Sequence, residues 1–147
     1  MTRDVILLAA RDWLGTPYRH QASMRGVGAD CLGLLRGVWR DCVGPEPQVT
    51  PAYSPDWAEQ TGEDTLIDAA RCYLVERAVG TAMPGDVLVF RMATGVPAKH
   101  CAILSTGTVE NGQILHAYWG RSVCETWLVP WWQRRIAGAF SFPGLED

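Results

Sequence analysis

Cys31 opens the apolar run Cys31-Leu32-Gly33-Leu34-Leu35, behind Asp30 and a glycine-bearing loop that ends in Gly28-Ala29. This pattern places a thiol at the start of a helix. The positive end of the helix dipole favours thiolate over thiol there and makes the sulfur a better nucleophile. A cysteine nucleophile needs a base to take its proton and a third group to orient that base. The histidines available for both tasks are His20, His100 and His116.

His100 opens the short apolar strand His100-Cys101-Ala102-Ile103-Leu104 and is the candidate base. Strand side chains alternate, so a cleft-facing His100 leaves Cys101 buried behind it and unsuited to be a second nucleophile. His116 lies in the next apolar strand, Ile114-Leu115-His116-Ala117-Tyr118. Antiparallel pairing can set it beside His100, close enough to hydrogen-bond the imidazole. Cys31, His100 and His116 thus form a candidate Cys-His-His triad. A zinc site built from Cys31, His100, His116 and Cys124 is a competing use of the same side chains. It lacks the close ligand pair usual in such sites, so no metal is expected. His20 reads as a solvated loop residue rather than a substrate contact.

The elements that must carry these residues follow from periodicity. Thr2 caps a first helix running to about Leu14, with Val5, Ile6, Ala9, Trp13 and Leu14 on one face. Pro17 ends that segment. A second helix runs from Cys31 to Cys42 and buries Leu34, Leu35, Val38 and Trp39. Gly33 and Gly37, one turn apart on it, permit close approach of another backbone. Gly44 to Pro55 is a proline-rich surface loop. A third helix lies within Asp56 to Val79, with Leu66, Ala69, Ala70, Tyr73 and Leu74 facing inward. Strands are expected at Val87–Phe90, His100–Leu104, Ile114–Tyr118, Ser122–Val129 and Ile136–Phe142, after a turn at Pro84-Gly85-Asp86. Helices first and strands later give an α+β class, an antiparallel sheet packed on the second helix, in one domain spanning residues 1–147.

Composition narrows the function classes. Hydrophobic content of 48% with 20% charged residues fits a globular protein, and a net charge of -3 gives no reason to expect nucleic-acid binding. No stretch has the length of a membrane span. The apolar N-terminal run stops at Arg11-Asp12 with no basic cluster before it, so it reads as a helix rather than a signal peptide. The expectation is cytoplasmic synthesis, with any export by another route. Five cysteines without short regular spacing argue against a disulfide framework. Trp119, Trp127, Trp131 and Trp132 are expected to pack the sheet. Trp131-Trp132 could instead be a docking patch, since adjacent tryptophans rarely both bury fully. Arg19, Arg25 and Lys99 could form a basic rim, although scattered exposed cations are usually just solvated.

Several segments resemble the NlpC/P60 family of cysteine peptidases. Leu14-Gly15-Thr16-Pro17-Tyr18-Arg19 is similar to its Leu-Gly-x-Pro-Tyr segment, and Asp30-Cys31-Leu32-Gly33-Leu34 to its Asp-Cys-Ser-Gly-Leu nucleophile motif. Pro84-Gly85-Asp86-Val87-Leu88 is similar to its Pro-Gly-Asp-Leu strand. His100-Cys101-Ala102-Ile103-Leu104 resembles His-Val-Gly-Ile-Tyr, and Ile114-Leu115-His116-Ala117 resembles the strand of the third catalytic residue. The motifs occur in family order.

The resemblance implies a papain-like α+β fold, no cofactor, and hydrolysis of amide bonds in peptidoglycan stem peptides. The typical family bond lies between D-glutamate and a diamino acid. Cys31 would attack, His100 would carry the proton and His116 would orient it. Tyr18 would lie near the oxyanion and substrate, and Asp30 would cap the helix or bind a muropeptide amine. Leu32 replaces the usual serine, Ala102 replaces glycine, and His20-Gln21-Ala22-Ser23-Met24-Arg25 lacks paired glycines. Leu32 and the ending Ala139-Phe140-Ser141-Phe142 resemble the phage-tail branch, which includes peptidases of gene transfer agents. That implies a tail-tip enzyme with tail hub or tip proteins as partners, reaching the periplasm and cell wall by virion assembly. The alternatives are a structural tail protein of the same fold, and an acyltransferase or amidase working through the same acyl-enzyme.

Overall fold

Thr2 Oγ1 accepts the Val5 N–H at 3.3 Å and starts helix α1 (Arg3–Arg11) in the computed structural model, which describes residues 1–47 and 64–147. The helix ends at Arg11 rather than near Leu14. Trp13 and Leu14 donate instead to Ala10 and Arg11 in tighter turns, and Gly15 at φ +83° redirects the chain. Ile6, Leu7, Ala10 and Trp13 are buried, while Val5 and Leu14 face solvent, against expectation. Every position from Val5 to Ala10 is apolar, so the pattern alone carries no phase; packing against the second helix selects the face.

The loop that follows holds a small hairpin that the sequence reading treats as irregular. Strands β1 (Ser23–Met24) and β2 (Gly28–Ala29) pair antiparallel. Ala29 N–H donates to Pro17 O at 2.9 Å and Arg19 N–H to Ala29 O at 3.1 Å. These bonds hold Tyr18 against the entry to helix α2 (Cys31–Cys42), whose bounds are those expected. Leu34 and Val38 are buried on α2, and Leu35 and Trp39 are half-buried. A side chain at Gly33 would run into the Ala22 carbonyl, and one at Gly37 into the Trp13 indole. Only the first of these close approaches is to backbone.

Residues 48 onward of the expected proline-rich loop, and 56–63 of the expected third helix, lie outside the described residues. Helix α3 covers Thr65–Tyr73 and buries Leu66, Ile67 and Ala70; Ala69, Tyr73 and Leu74 are only partly buried. Leu74 turns extended, and Val75–Arg77 forms edge strand β3, not a continuation of the helix.

The remaining strands are β4 (Val87–Phe90), β5 (His100–Gly107), β6 (Gly112–His116), β7 (Cys124–Trp127) and β8 (Ile136–Ser141). With β3 they form one antiparallel sheet in the order β3-β8-β4-β5-β6-β7. All of Val87–Phe90 is buried because both sheet faces are covered. Val87, Val89, Cys101, Ile103 and Leu115 pack on α1 and α2. Leu88, Phe90, Leu104 and Ile114 pack on Leu128 and Trp132, the latter from the short helix α4 (Pro130–Gln133). The β5–β6 register pairs Ile103 with Leu115, which brings His100 and His116 to one end of the sheet. Among the described residues, no helix is long and apolar enough to cross a membrane.

Candidate active site

Asp30 ends the loop and caps α2. Its Oδ1 accepts the Gly33 N–H at 2.7 Å and its Oδ2 accepts the Gln21 N–H at 2.8 Å. The carboxylate is buried and joins helix to loop, with His20 Nδ1 at 3.9 Å from Oδ2. Of the two uses open for Asp30, the geometry displays the cap. It also aims the helix: Cys31 becomes the first helical residue, at the positive end of the helix dipole.

His100 and Cys101 point to opposite faces of β5, as alternation requires, yet both reach Cys31 because the sulfur sits at the strand's end. The Cys31 thiol lies well below its ordinary range. A hydrogen bond from the Cys101 thiol lowers it most, burial works against this, and His100 adds a hydrogen bond and its charge, opposed by Asp30. Cys101 is pushed well up, because its proton is held by Cys31 and its surroundings are dry. It is buried, as expected, and its sulfur lies 3.4 Å from the Cys31 carbonyl. Alternation alone puts Cys101 behind the base, yet its sulfur reaches the candidate site.

This arrangement has a direct chemical consequence. Iodoacetamide should alkylate Cys31 faster at mildly acid pH than it alkylates an ordinary thiol. Cys101→Ala should move the midpoint of the alkylation pH profile upward, as the donor to the thiolate is lost. Rate against pH, read by mass of the Cys31 peptide, checks both; an unchanged midpoint contradicts the Cys101 contribution.

Behind the thiol, His100 Nε2 lies 2.9 Å from His116 Nδ1, and His116 Nε2 lies 2.9 Å from Thr126 Oγ1 on β7. An imidazolium at His100 donates from Nε2. His116 then accepts at Nδ1 and carries its own proton on Nε2, donated to Thr126. His100 Nδ1 is left for the sulfur. Burial, reinforced by the charge on His100, pushes His116 down to about 3, so it stays a neutral acceptor at working pH.

A histidine depressed in the folded state takes up its proton more readily when unfolded. Stability is therefore unaffected above pH about 6.5 and falls as pH drops from there towards 3. At pH 4 the His116 contribution to this loss is on the order of 3 kcal/mol. Urea unfolding of wild type and His116→Asn at pH 7 and pH 4 should show a smaller acid loss in the variant. Equal losses would place His116 in a less dry setting.

The histidine pair is walled by aromatic rings. Trp132 packs at 5.1 Å from His100 and 5.2 Å from His116, and Tyr118 lies 5.4 Å from His100. Trp131, its neighbour, stays exposed under the Arg135 guanidinium, so the tandem pair splits into one buried and one surface ring. Trp119 and Trp127 are exposed rather than packed. Tyr18 stands beside the thiol with its ring edge to Trp119 at 6.0 Å. Burial, then the charges of Asp30 and Cys31, raise its phenol, which remains a donor. Arg25 approaches Asp12 at 3.7 Å and Arg19 lies over Gly28. Cys124 directs its thiol to the His116 carbonyl at 3.9 Å; among the described residues no three of His, Cys, Asp or Glu are placed to hold a metal.

The NlpC/P60 domain of the peptidoglycan hydrolase SagA superposes on this chain with a TM-score of 0.64 at 24% identity, covering 97% of this chain and 100% of that one. The fold is the NlpC/P60 fold. An NlpC/P60 family protein of Bacillus cereus shares it with a TM-score of 0.65 at 20% identity, over 97% of this chain and 40% of that one. A lipoprotein-like NLP/P60 family protein of Staphylococcus aureus does so with a TM-score of 0.62 at 21% identity, over 99% and 42%. The chain thus spans less than half the length of these last two. No family model matches the sequence, and no curated protein does. Thr126 and Tyr118 line the candidate site unannounced by the sequence, and Cys101 and Trp132, expected there only as buried and packing residues, reach it too. Only Cys101, adjacent to the candidate base, carried a visible signal.

Proposed function

We propose that this chain hydrolyses amide bonds in peptidoglycan stem peptides, with Cys31 as nucleophile, His100 as proton carrier and His116 as its positioning partner. The observation that carries the reading is the file Cys31, His100, His116, Thr126, with His100 and His116 joined at 2.9 Å behind a thiol shifted towards the thiolate. Its setting in the NlpC/P60 fold, shared with a peptidoglycan hydrolase, supplies the substrate class.

The Cys31 thiolate adds to the scissile carbonyl. The developing oxyanion faces the Cys31 N–H at the start of α2 and the Tyr18 hydroxyl. His100 gives its proton to the leaving amine, the C–N bond breaks, and a thioester remains on Cys31. His100, now neutral, takes a proton from water; hydroxide adds to the thioester, and the acid and thiolate are released. His116 accepts from His100 Nε2 throughout and keeps Nδ1 aimed at sulfur. Dye release from labelled peptidoglycan tests this: wild type should release dye and Cys31→Ala should not. An amine acceptor that diverts the product into a new amide would mark a transferase instead.

We place the enzyme in a phage-like tail tip, acting in the periplasm and wall beside hub or tip proteins. Support comes from the resemblance at Leu32. The ending Ala139-Phe140-Ser141-Phe142 carries less, because Phe140 and Phe142 are buried in the core. A purely structural tail role would need surfaces such as Trp127 and Trp131, both exposed. Mass spectrometry of purified tail particles should find the chain at stoichiometric level; its absence there would remove the tail assignment and leave the hydrolase.

A further inference from the structure

We propose that Cys101 is a resolving thiol: when Cys31 is oxidised by a peroxide, the two residues close a reversible disulfide that switches the site off. The inference rests on the reading of Cys31 as an accessible, ionised nucleophile.

Two sulfurs on different elements meet here. Cys31 is the first residue of α2 and Cys101 the second of β5. The Cys101 sulfur lies 3.4 Å from the Cys31 carbonyl, which puts the two residues in direct contact. Their accessibilities differ in the required direction. Cys31 is partly exposed and open to a small oxidant, whereas Cys101 is only 2% exposed. Oxidation therefore begins at Cys31, where thiolate character and access coincide. The other thiols are elsewhere: Cys42 faces the Val5 carbonyl, Cys124 the His116 carbonyl, and Cys72 is on the surface.

The chemistry balances with hydrogen peroxide as the oxidant. The Cys31 thiolate attacks one peroxide oxygen, the O–O bond breaks, and Cys31 sulfenic acid forms with loss of hydroxide. The Cys101 sulfur then attacks the Cys31 sulfur. The S–S bond forms, the S–O bond breaks, and the Cys101 proton leaves with the hydroxyl as water. The first step prepares the second. The Cys101 proton is held mainly by the Cys31 thiolate, and a sulfenic acid no longer carries that charge. Closing the disulfide stops the sulfur short of the irreversible sulfinic and sulfonic acids.

The test is peptide mapping of the full chain after brief peroxide treatment and alkylation of remaining thiols. Wild type should yield a Cys31–Cys101 cross-linked peptide, lighter than its two reduced parts by two hydrogens, and dithiothreitol should return both the free thiols and the starting hydrolysis rate. Cys101→Ala and Cys101→Ser should instead accumulate sulfinic acid at Cys31 that dithiothreitol does not reverse. Wild type carrying Cys31 sulfinic acid without the cross-link, or cross-linked to another cysteine, overturns the proposal. The cross-link is read without reference to catalysis. An inactive reduced protein that still cross-links would sink the peptidase reading alone, and an active one that does not would sink only the switch.

Discussion

His100→Ala should lower the rate of stem-peptide hydrolysis by about 10⁴-fold or more, and adding Cys31→Ala should lower it little further. The non-additivity follows from the geometry. In the proposed mechanism His100 helps to form the thiolate, protonates the leaving amine and deprotonates water, all through one ring held between Cys31 and His116 Nδ1. Without it the thiol is less ionised and no group delivers a proton, so the sulfur has nothing left to contribute. Steady-state rates of the two single variants and the double variant check this. Melting curves separate catalytic loss from damage to the aromatic wall, because His100 also packs on Phe90 and Trp132. A rate within tenfold of wild type would mean that another group moves the proton.

Asp86→Ala should cost about 3–5 kcal/mol of folding stability, a drop in melting temperature of about 10 °C for a chain this size. Asp86 Oδ1 accepts from Arg3 Nη1 on α1 and from Ser141 Oγ on β8, each at 2.6 Å, and Oδ2 accepts the Met83 N–H at 2.9 Å. The carboxylate is 1% exposed and the Arg3 side chain 12% exposed. Removing the acid strands a nearly buried guanidinium, which costs more than the pair itself contributes. The tie joins the first helix, the last strand and the turn before β4. Loss should therefore appear as weaker global stability rather than as a changed alkylation profile at Cys31. Chemical denaturation reads the first and iodoacetamide kinetics the second; a loss below 1 kcal/mol would show that water replaces the carboxylate.

The parts of this fold visible in the sequence are those where one local rule acts alone. Helix α2 has a capping acid before it and a clean apolar face, so its bounds are those observed. The strands that carry His100 and His116 are short apolar runs, and antiparallel register does the rest. The reading fails where two rules compete or none applies. Helix α1 is apolar all along its first turns and so has no phase of its own. Strand β3 is an exposed edge, Val75-Glu76-Arg77, with no alternation to betray it. Thr126 is an ordinary threonine until pairing of β6 with β7 sets it under His116. Alternation accounts for the burial of Cys101, but it says nothing about a residue reaching past the end of its strand.

Peptidase activity at Cys31 is read most directly from the products of peptidoglycan digestion. Purified peptidoglycan incubated with the reduced chain, then resolved as muropeptides by liquid chromatography and mass spectrometry, should give stem fragments shortened at one internal amide. The same incubation with Cys31→Ala should leave the muropeptides intact. Identical profiles from the two proteins, with both folded and the wild-type thiol free, would contradict the assignment of this site as a cell-wall peptidase.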